Sequence, residues 1–282
     1  MKIIESPREA MQGLNNFIPT DVKVRYINSL LKVGFDTVEV GSFVSQKAIP
    51  QMSDSAEVLQ QVENTATRSK RMMLVVNKKG AEHASLIDSV DTISFPFSIS
   101  PRFTELNLNS NTDKLLGTLD DILNICDKSK KSLVVYISMA FGNPYGDEWS
   151  LEILSDWVDL LNDMGVTTIP LSNVTIDIGS KLIEDVFSLL IPQFPGIGFG
   201  LHLHTTNDHW YEKVEAAYKH GCRRFDGVMK GMGGCPMTGK EMLGNLATEN
   251  LVGFLENKND NPGDIDREAF NDSSKLAAEI FF

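Results

Sequence analysis

Ile197-Gly198-Phe199-Gly200-Leu201-His202-Leu203-His204 is an apolar run that closes on two histidines and reads as one β-strand. Side chains alternate faces along a strand, so His202 and His204 share a face, roughly 7 Å apart at Cα. Two imidazoles so placed can grip one ion, or can simply end a strand; the spacing alone leaves both readings open. Working outward, seven more short runs rich in Val, Ile or Phe have the character of buried parallel strands: Lys2–Ser6, Thr37–Ser42, Met72–Asn77, Thr92–Ser98, Ser132–Ser138, Thr167–Asn173 and Arg223–Met229. Helical patterns lie between them. Asp21–Val33 has Thr20 as a cap and Gly34 as a stop, and Asp54–Glu63 follows Ser53. Gly80–Ser89, Asp113–Ser129 (capped by Thr112), Ser150–Met164, Ser180–Leu190 and Trp210–His220 complete the series. Strand–helix units repeated about eight times predict a TIM (β/α)8 barrel. The alternative, a doubly wound open sheet, lacks a Gly-x-Gly-x-x-Gly turn after its first strand.

After Leu255 the character changes. Glu256–Ser274 is polar and reads as a loop or linker. Lys275–Phe282 reads as a short final helix docking by Ile280, Phe281 and Phe282, or as a frayed or oligomer-bound tail. The expected layout is a catalytic barrel over 1–255 with a short C-terminal extension over 256–282.

The chain has 282 residues, 42% of them hydrophobic, and a net charge of −12. That balance excludes a general nucleic-acid binder. No run approaches the ~20 apolar residues of a membrane span. Met1-Lys2-Ile3-Ile4-Glu5 enters a strand pattern directly, without signal-peptide architecture, so a cytoplasmic protein is expected. Three cysteines without zinc spacing suit a reducing compartment. Cys126 and Cys222 read as packing, whereas Cys235 lies in a loop. An anionic substrate of so acidic a protein must meet local positive charge, from an arginine or a metal ion.

Barrel enzymes work at the C-terminal ends of their strands. Collected there are Arg8, Glu9 and Gln12 after strand 1, Glu39 and Ser42 in strand 2, Ser138 ending strand 5, Asn173 ending strand 6, His202 and His204 ending strand 7, and Cys235 after strand 8. Glu9 with the two histidines forms an oxygen–nitrogen donor set that suits Mg, Mn, Zn or Fe. Arg8 is a fixed cation able to hold a carboxylate or a developing oxyanion, although Arg8-Glu9 also reads as a solvated surface pair. Glu39, an acid inside Val38-Glu39-Val40, needs a partner; a salt bridge to Arg8 and a catalytic role are both open. Gly231-Met232-Gly233-Gly234-Cys235-Pro236 reads as a mobile lid or as a plain turn.

Five segments in order resemble the 3-hydroxy-3-methylglutaryl-CoA lyases. They are Ser6-Pro7-Arg8-Glu9-Ala10-Met11-Gln12, then Ser42-Phe43-Val44-Ser45-x-Lys47-x-x-Pro50-Gln51-Met52, His202-x-His204, Gly233-Gly234-Cys235-Pro236 and Gly244-Asn245-Leu246-Ala247-Thr248-Glu249. The resemblance implies a barrel lyase splitting 3-hydroxy-3-methylglutaryl-CoA into acetoacetate and acetyl-CoA. It implies a divalent metal, Mg or Mn ahead of Zn, held by Glu9, His202, His204 and Asn245. It makes Arg8 the enolate stabiliser, Cys235 the proton donor and Glu39 the group that orients Arg8 or shuttles protons. Gln12 and Ser138 join Arg8 as substrate contacts. The implied partner is an acyl-CoA substrate, with no nucleic acid or membrane, and a homodimer stays open. The family's first ligand is usually Asp, here Glu9, and its Leu-x-Asp-Thr is here Leu171-Ser172-Asn173-Val174. Thr205 also follows His204 where Asp is common. An amide cannot act as base, so the protein is expected to be slow, or to use His202 or Glu39 in place of Asn173. An aldolase or Claisen-type enzyme on a related acyl-CoA, or a weakly active paralogue, are the alternatives.

Overall fold

The computed structural model describes residues 1–63, 67–174, 177–234, 243–260 and 263–282. Eight parallel strands close into a barrel: β1 (Lys2–Glu5), β2 (Thr37–Phe43), β3 (Lys70–Val75), β4 (Thr92–Ser98), β5 (Ser132–Ser138), β6 (Thr168–Ser172), β7 (Gly198–His202) and, returning beside β1, β9 (Arg224–Gly227). The expected TIM barrel is therefore present. Strand periodicity sorts the side chains. Ile3, Val38, Phe95 and Phe225 face outward into one continuous apolar cluster with the helices. Ile4, Met72 and Val134 form a small separate cluster with Tyr136, and the polar Glu39, Ser94 and Asp226 alternate onto that second face. Most hydrophobic stabilisation thus lies between sheet and helices, at about 1.5–3 kcal/mol per fully buried large side chain.

Helices surround the barrel: α1 (Pro7–Gln12), α2 (Thr20–Val33), α3 (Ser55–Gln61), α4 (Lys78–Ser85), α5 (Pro101–Leu108), α6 (Thr112–Ser129), α7 (Leu151–Asp163), α8 (Ser180–Gln193) and α9 (Tyr211–Lys219). In α7, Leu154, Val158 and Leu161 form one buried stripe, and Ser150 caps it by accepting from the Ile153 amide at 3.2 Å. Two expected caps move. Thr20 is already helical, and its hydroxyl donates to Asp54 at 2.8 Å; Asn111, not Thr112, caps α6 by accepting from the Lys114 amide. Helices α1 and α5 fall in stretches for which the sequence pattern predicts no element, each too short for a periodic stripe, and each opens with a proline that presets φ.

The histidine strand also differs from expectation. β7 ends at His202, and His204–Thr205 forms a separate strand, β8, antiparallel to β10 (Gly244–Asn245) outside the barrel. About half of the polar stretch read as a linker is helical. α10 (Thr248–Asn257) extends past Leu255, and α11 spans Arg267–Phe281. Asp266 caps α11 by accepting from the Ala269 amide, and Phe270, Ser273 and Ala277 bury one face. That face packs on α2, with Tyr26 and Phe281 edge to face at 5.6 Å. Small and polar buried residues hide such a helix from a hydrophobic count. Among the described residues, no helix is long and apolar enough to cross a membrane.

Candidate active site

Because Pro7 starts α1 directly after β1, Arg8, Glu9 and Gln12 lie on one short helix at the barrel mouth. Gln12 accepts from Arg8 Nη1 at 2.8 Å and donates to Glu9 Oε2 at 2.9 Å. Arg8 Nη2 lies 2.7 Å from Glu9 Oε1 and 2.7 Å from Glu39 Oε2. The guanidinium is buried between two carboxylates, so the solvated-surface reading of Arg8-Glu9 is replaced by a buried ion network. The ion pair from Arg8 to Glu39 expected from the acid in an apolar strand is present. The free Glu39 oxygen accepts from Ser94 Oγ at 3.2 Å.

The two acids differ electrostatically. Burial tends to raise Glu9, but Arg8 and then the two histidines outweigh it and hold its pKa below the ordinary value. Burial dominates at Glu39, whose pKa lies above the ordinary value despite Arg8. Arg8 remains charged, since its two acids overcome the desolvation.

Strand register sets the imidazoles. His202 pairs with Ser172 on β6 and with Asp226 on β9. Its Nδ1 lies 3.1 Å from Asp226 Oδ2, which leaves Nε2 as the ring nitrogen Asp226 does not engage. Burial lowers the His202 pKa, yet the Asp226 hydrogen bond and charge prevail and hold it above the ordinary imidazole value. His204 is the opposite case. Burial first, then neighbouring His202, push it down to about 3, so it is a neutral imidazole at physiological pH. Its buried Nδ1 has no hydrogen-bond partner among the described residues. The two ring centroids are 5.1 Å apart.

Asn173 has a definite task. Its Nδ2 donates to the His204 carbonyl and its Oδ1 accepts from the His204 amide, both at 2.8 Å. The side chain thus clamps the peptide of His204, a pairing an aspartate could only half reproduce. Asn245 lies opposite His204 in the β8–β10 pair, and its Nδ2 donates to the Met232 carbonyl at 2.7 Å. Ser138 lines the same cavity as Arg8, Glu9, Gln12 and the histidines. Cys235 lies outside the described residues.

Sequence reasoning missed Asp226, Arg224 and Tyr136. Arg224 donates to the Tyr136 hydroxyl at 3.2 Å, and a side chain at Gly200 would strike the Arg224 stem at 2.8 Å. An acid in the apolar run Phe225-Asp226-Gly227-Val228 is the same signal that marked Glu39.

The cavity, about 1220 Å³, runs from this cluster out to Asn107 and Lys114. The HMGL-like family profile matches residues 2–276. This chain belongs to that family. It is 32% identical over 257 residues to the mitochondrial hydroxymethylglutaryl-CoA lyase of Bos taurus, covering 90% of this chain and 78% of that one. It is 28% identical to the cytoplasmic 3-hydroxy-3-methylglutaryl-CoA lyase of Rattus norvegicus, covering 93% and 76%. Among solved structures, the HMG-CoA lyase of Acinetobacter baumannii in complex with coenzyme A and 3-methylmalate superposes with a TM-score of 0.90 at 27% identity, covering 99% and 90% of the two chains. The Bacillus subtilis HMG-CoA lyase superposes at 0.91 with 28% identity, covering 99% and 92%. As an HMGL-like protein the chain is a carbon–carbon lyase, in a family whose enzymes depend on a divalent metal.

The donor types suit such an ion. His204 offers a neutral ring with an unpartnered buried nitrogen, His202 keeps Nε2, and Glu9 is held ionised. Among the described residues, no three His, Cys, Asp or Glu side chains are gathered as a ready-made metal cluster. Both Glu9 oxygens are engaged by Arg8 and Gln12 instead.

Proposed function

We propose that this HMGL-like chain cleaves 3-hydroxy-3-methylglutaryl-CoA to acetoacetate and acetyl-CoA, with Mg or Mn held by Glu9, His202, His204 and Asn245. The observation that carries this reading is Arg8, buried between Glu9 and Glu39 in the cavity that His202 and His204 also line. A divalent ion there would lower the pKa of the substrate's tertiary hydroxyl.

The hydroxyl proton goes to Glu39, since His202 would be spent on Asp226 and the ion, and Asn173 has no basic atom and spends its amide on the His204 peptide. The carbon–carbon bond then breaks, giving the ketone of acetoacetate and a thioester enolate. Arg8 stabilises the enolate oxygen, and its two carboxylates fix it in place before charge develops. Protonation of the enolate carbon, by Cys235 on the family resemblance, yields acetyl-CoA. Ser138 and Gln12 contact the acyl part. The outer cavity suits a coenzyme A arm, and Lys114 supplies a cation for its phosphates. Cys126 and Cys222 are buried free thiols, consistent with the reducing cytoplasm.

The test is acetoacetate release by protein stripped with a chelator, then reloaded with Mg or Mn. Release restored by metal is expected. Metal binding without release from this thioester would overturn the substrate assignment. Cleavage of a different hydroxyacyl thioester would redirect it to a related acyl-CoA, and metal binding without turnover of any thioester would mark a weakly active paralogue, the second reading that Asn173 favours.

A further inference from the structure

Glu5 ends β1 but faces away from the barrel interior, on the same side as Ile3. It is completely buried, pairs with no Lys, Arg or His among the described residues, and is not among the residues lining the active-site cavity. Its two oxygens reach the two ends of one long excursion. Oε1 accepts from the Met229 amide at 2.9 Å, and Oε2 accepts from the Thr248 hydroxyl at 2.5 Å. Met229 leads into the described residues 230–234, and Thr248 follows Gly244–Asn245 and Leu246, so the two ends flank Asn245. The excursion is closed at its base by the Val228 amide on the Leu246 carbonyl at 2.9 Å and the Thr248 amide on the Val228 carbonyl at 3.2 Å. Glu249 adds a second clasp, accepting from the Lys230 amide at 3.0 Å and from Ser274 on α11 at 2.9 Å.

What the base holds bears directly on the site. The Met232 carbonyl fixes the Asn245 amide. Gly233, at φ +81°, packs so tightly on α1 that a side chain there would lie 2.2 Å from the Glu9 carbonyl. A shift at Met229 is therefore transmitted to Glu9 and Asn245 through backbone contacts that leave no slack. We propose that Glu5 is a positioning residue that staples both ends of the 229–248 excursion, and so sets where Glu9 and Asn245 stand. The consequence for metal affinity rests on the ligand set proposed above; the staple itself does not. Its raised pKa, about 8, caused first by burial and partly offset by the Thr248 and Met229 hydrogen bonds, fits a group that acts without a counter-cation.

The test compares Glu5→Val, which keeps an apolar outward face but loses both bonds, with Glu5→Gln, which can accept from Met229 and donate to Thr248. Amide hydrogen exchange over 228–234 and 244–248 should accelerate tenfold or more in Glu5→Val while β3, β4 and β5 exchange as in the unaltered protein. Mn²⁺ affinity, read by titration, should fall at least fivefold. Glu5→Gln should restore both readouts to within twofold. Unchanged exchange at the excursion, uniform acceleration across the barrel, or failure of Glu5→Gln to rescue exchange would each overturn the staple. If the unaltered protein binds no Mn²⁺, the metal reading fails, and the exchange comparison still judges Glu5.

Discussion

Glu39 and Glu5 are both buried glutamates on adjacent strands of one barrel, yet they face opposite sides of the sheet. Glu39 faces Ser94 and meets Arg8 at 2.7 Å; Glu5 faces the helices and, among the described residues, meets a backbone amide and a hydroxyl. Burial raises both pKa values, but only Glu39 has a cation pulling the other way. The same side chain is therefore a partner of reactive charge on one face and a hydrogen-bonding clasp on the other. Strand parity, not residue type, decides which.

The largest effect should come from the cation that separates the two cases. Arg8→Gln should lower kcat by about a thousandfold or more, since an oxyanion-stabilising donor is removed and two buried carboxylates lose their counterion. Steady-state kinetics with a parallel thermal melt measure this; an unaltered kcat would erase the distinction drawn for Glu39. Next is the same isosteric change made on each face. Glu39→Gln should cost about a hundredfold in kcat by removing a proton-transfer group, whereas Glu5→Gln should leave turnover at neutral pH near its original value. Equal losses at both positions would mean that facing direction does not matter.

Asp226→Asn comes third. It leaves His202 without its charged partner, and metal affinity should fall by about 10–100-fold, as followed by Mn²⁺ titration. The smallest effect concerns stability. Glu5 titrates near 8 when folded against an ordinary 4.5, so the folded state retains its proton where the unfolded chain has lost it. Its contribution to stability is complete below about pH 4.5 and is lost as pH rises through 8. The charge of nearby Glu249 pushes Glu5 the same way, and Tyr26, raised by burial and by the charges of Glu5 and Glu249, stays neutral across this window. Glu5→Gln cannot ionise, so its melting temperature should gain on that of the unaltered protein across that window. A constant difference from pH 5 to 8 would contradict the buried-proton assignment.

Much of this was legible in the residues. The eight apolar runs and their helical intervals gave the barrel because 2-residue and 3.6-residue periods are visible without a fold. An acid in Val38-Glu39-Val40 announced a buried partner. The identical signal in Ile3-Ile4-Glu5 and Phe225-Asp226-Gly227 went unread, because nothing local tells whether such an acid meets a cation, an imidazole or an amide. The two histidines were read as one strand face, but Asn173 and β10 draw His204 onto a separate strand. Those contacts span 31 and about 40 positions, beyond any periodic pattern.

The sequence by itself determined the alternation of elements, the acidic exterior and the residue types able to hold an ion and steady an enolate. The tertiary structure alone decided which of those residues meet: Arg8 between two acids, His202 on Asp226, Asn173 on the peptide of His204, Glu5 across the base of the 229–248 excursion. The reason is physical. Periodicity fixes the face a side chain takes within its own element, whereas its partner and its charge state depend on what the closed barrel buries beside it.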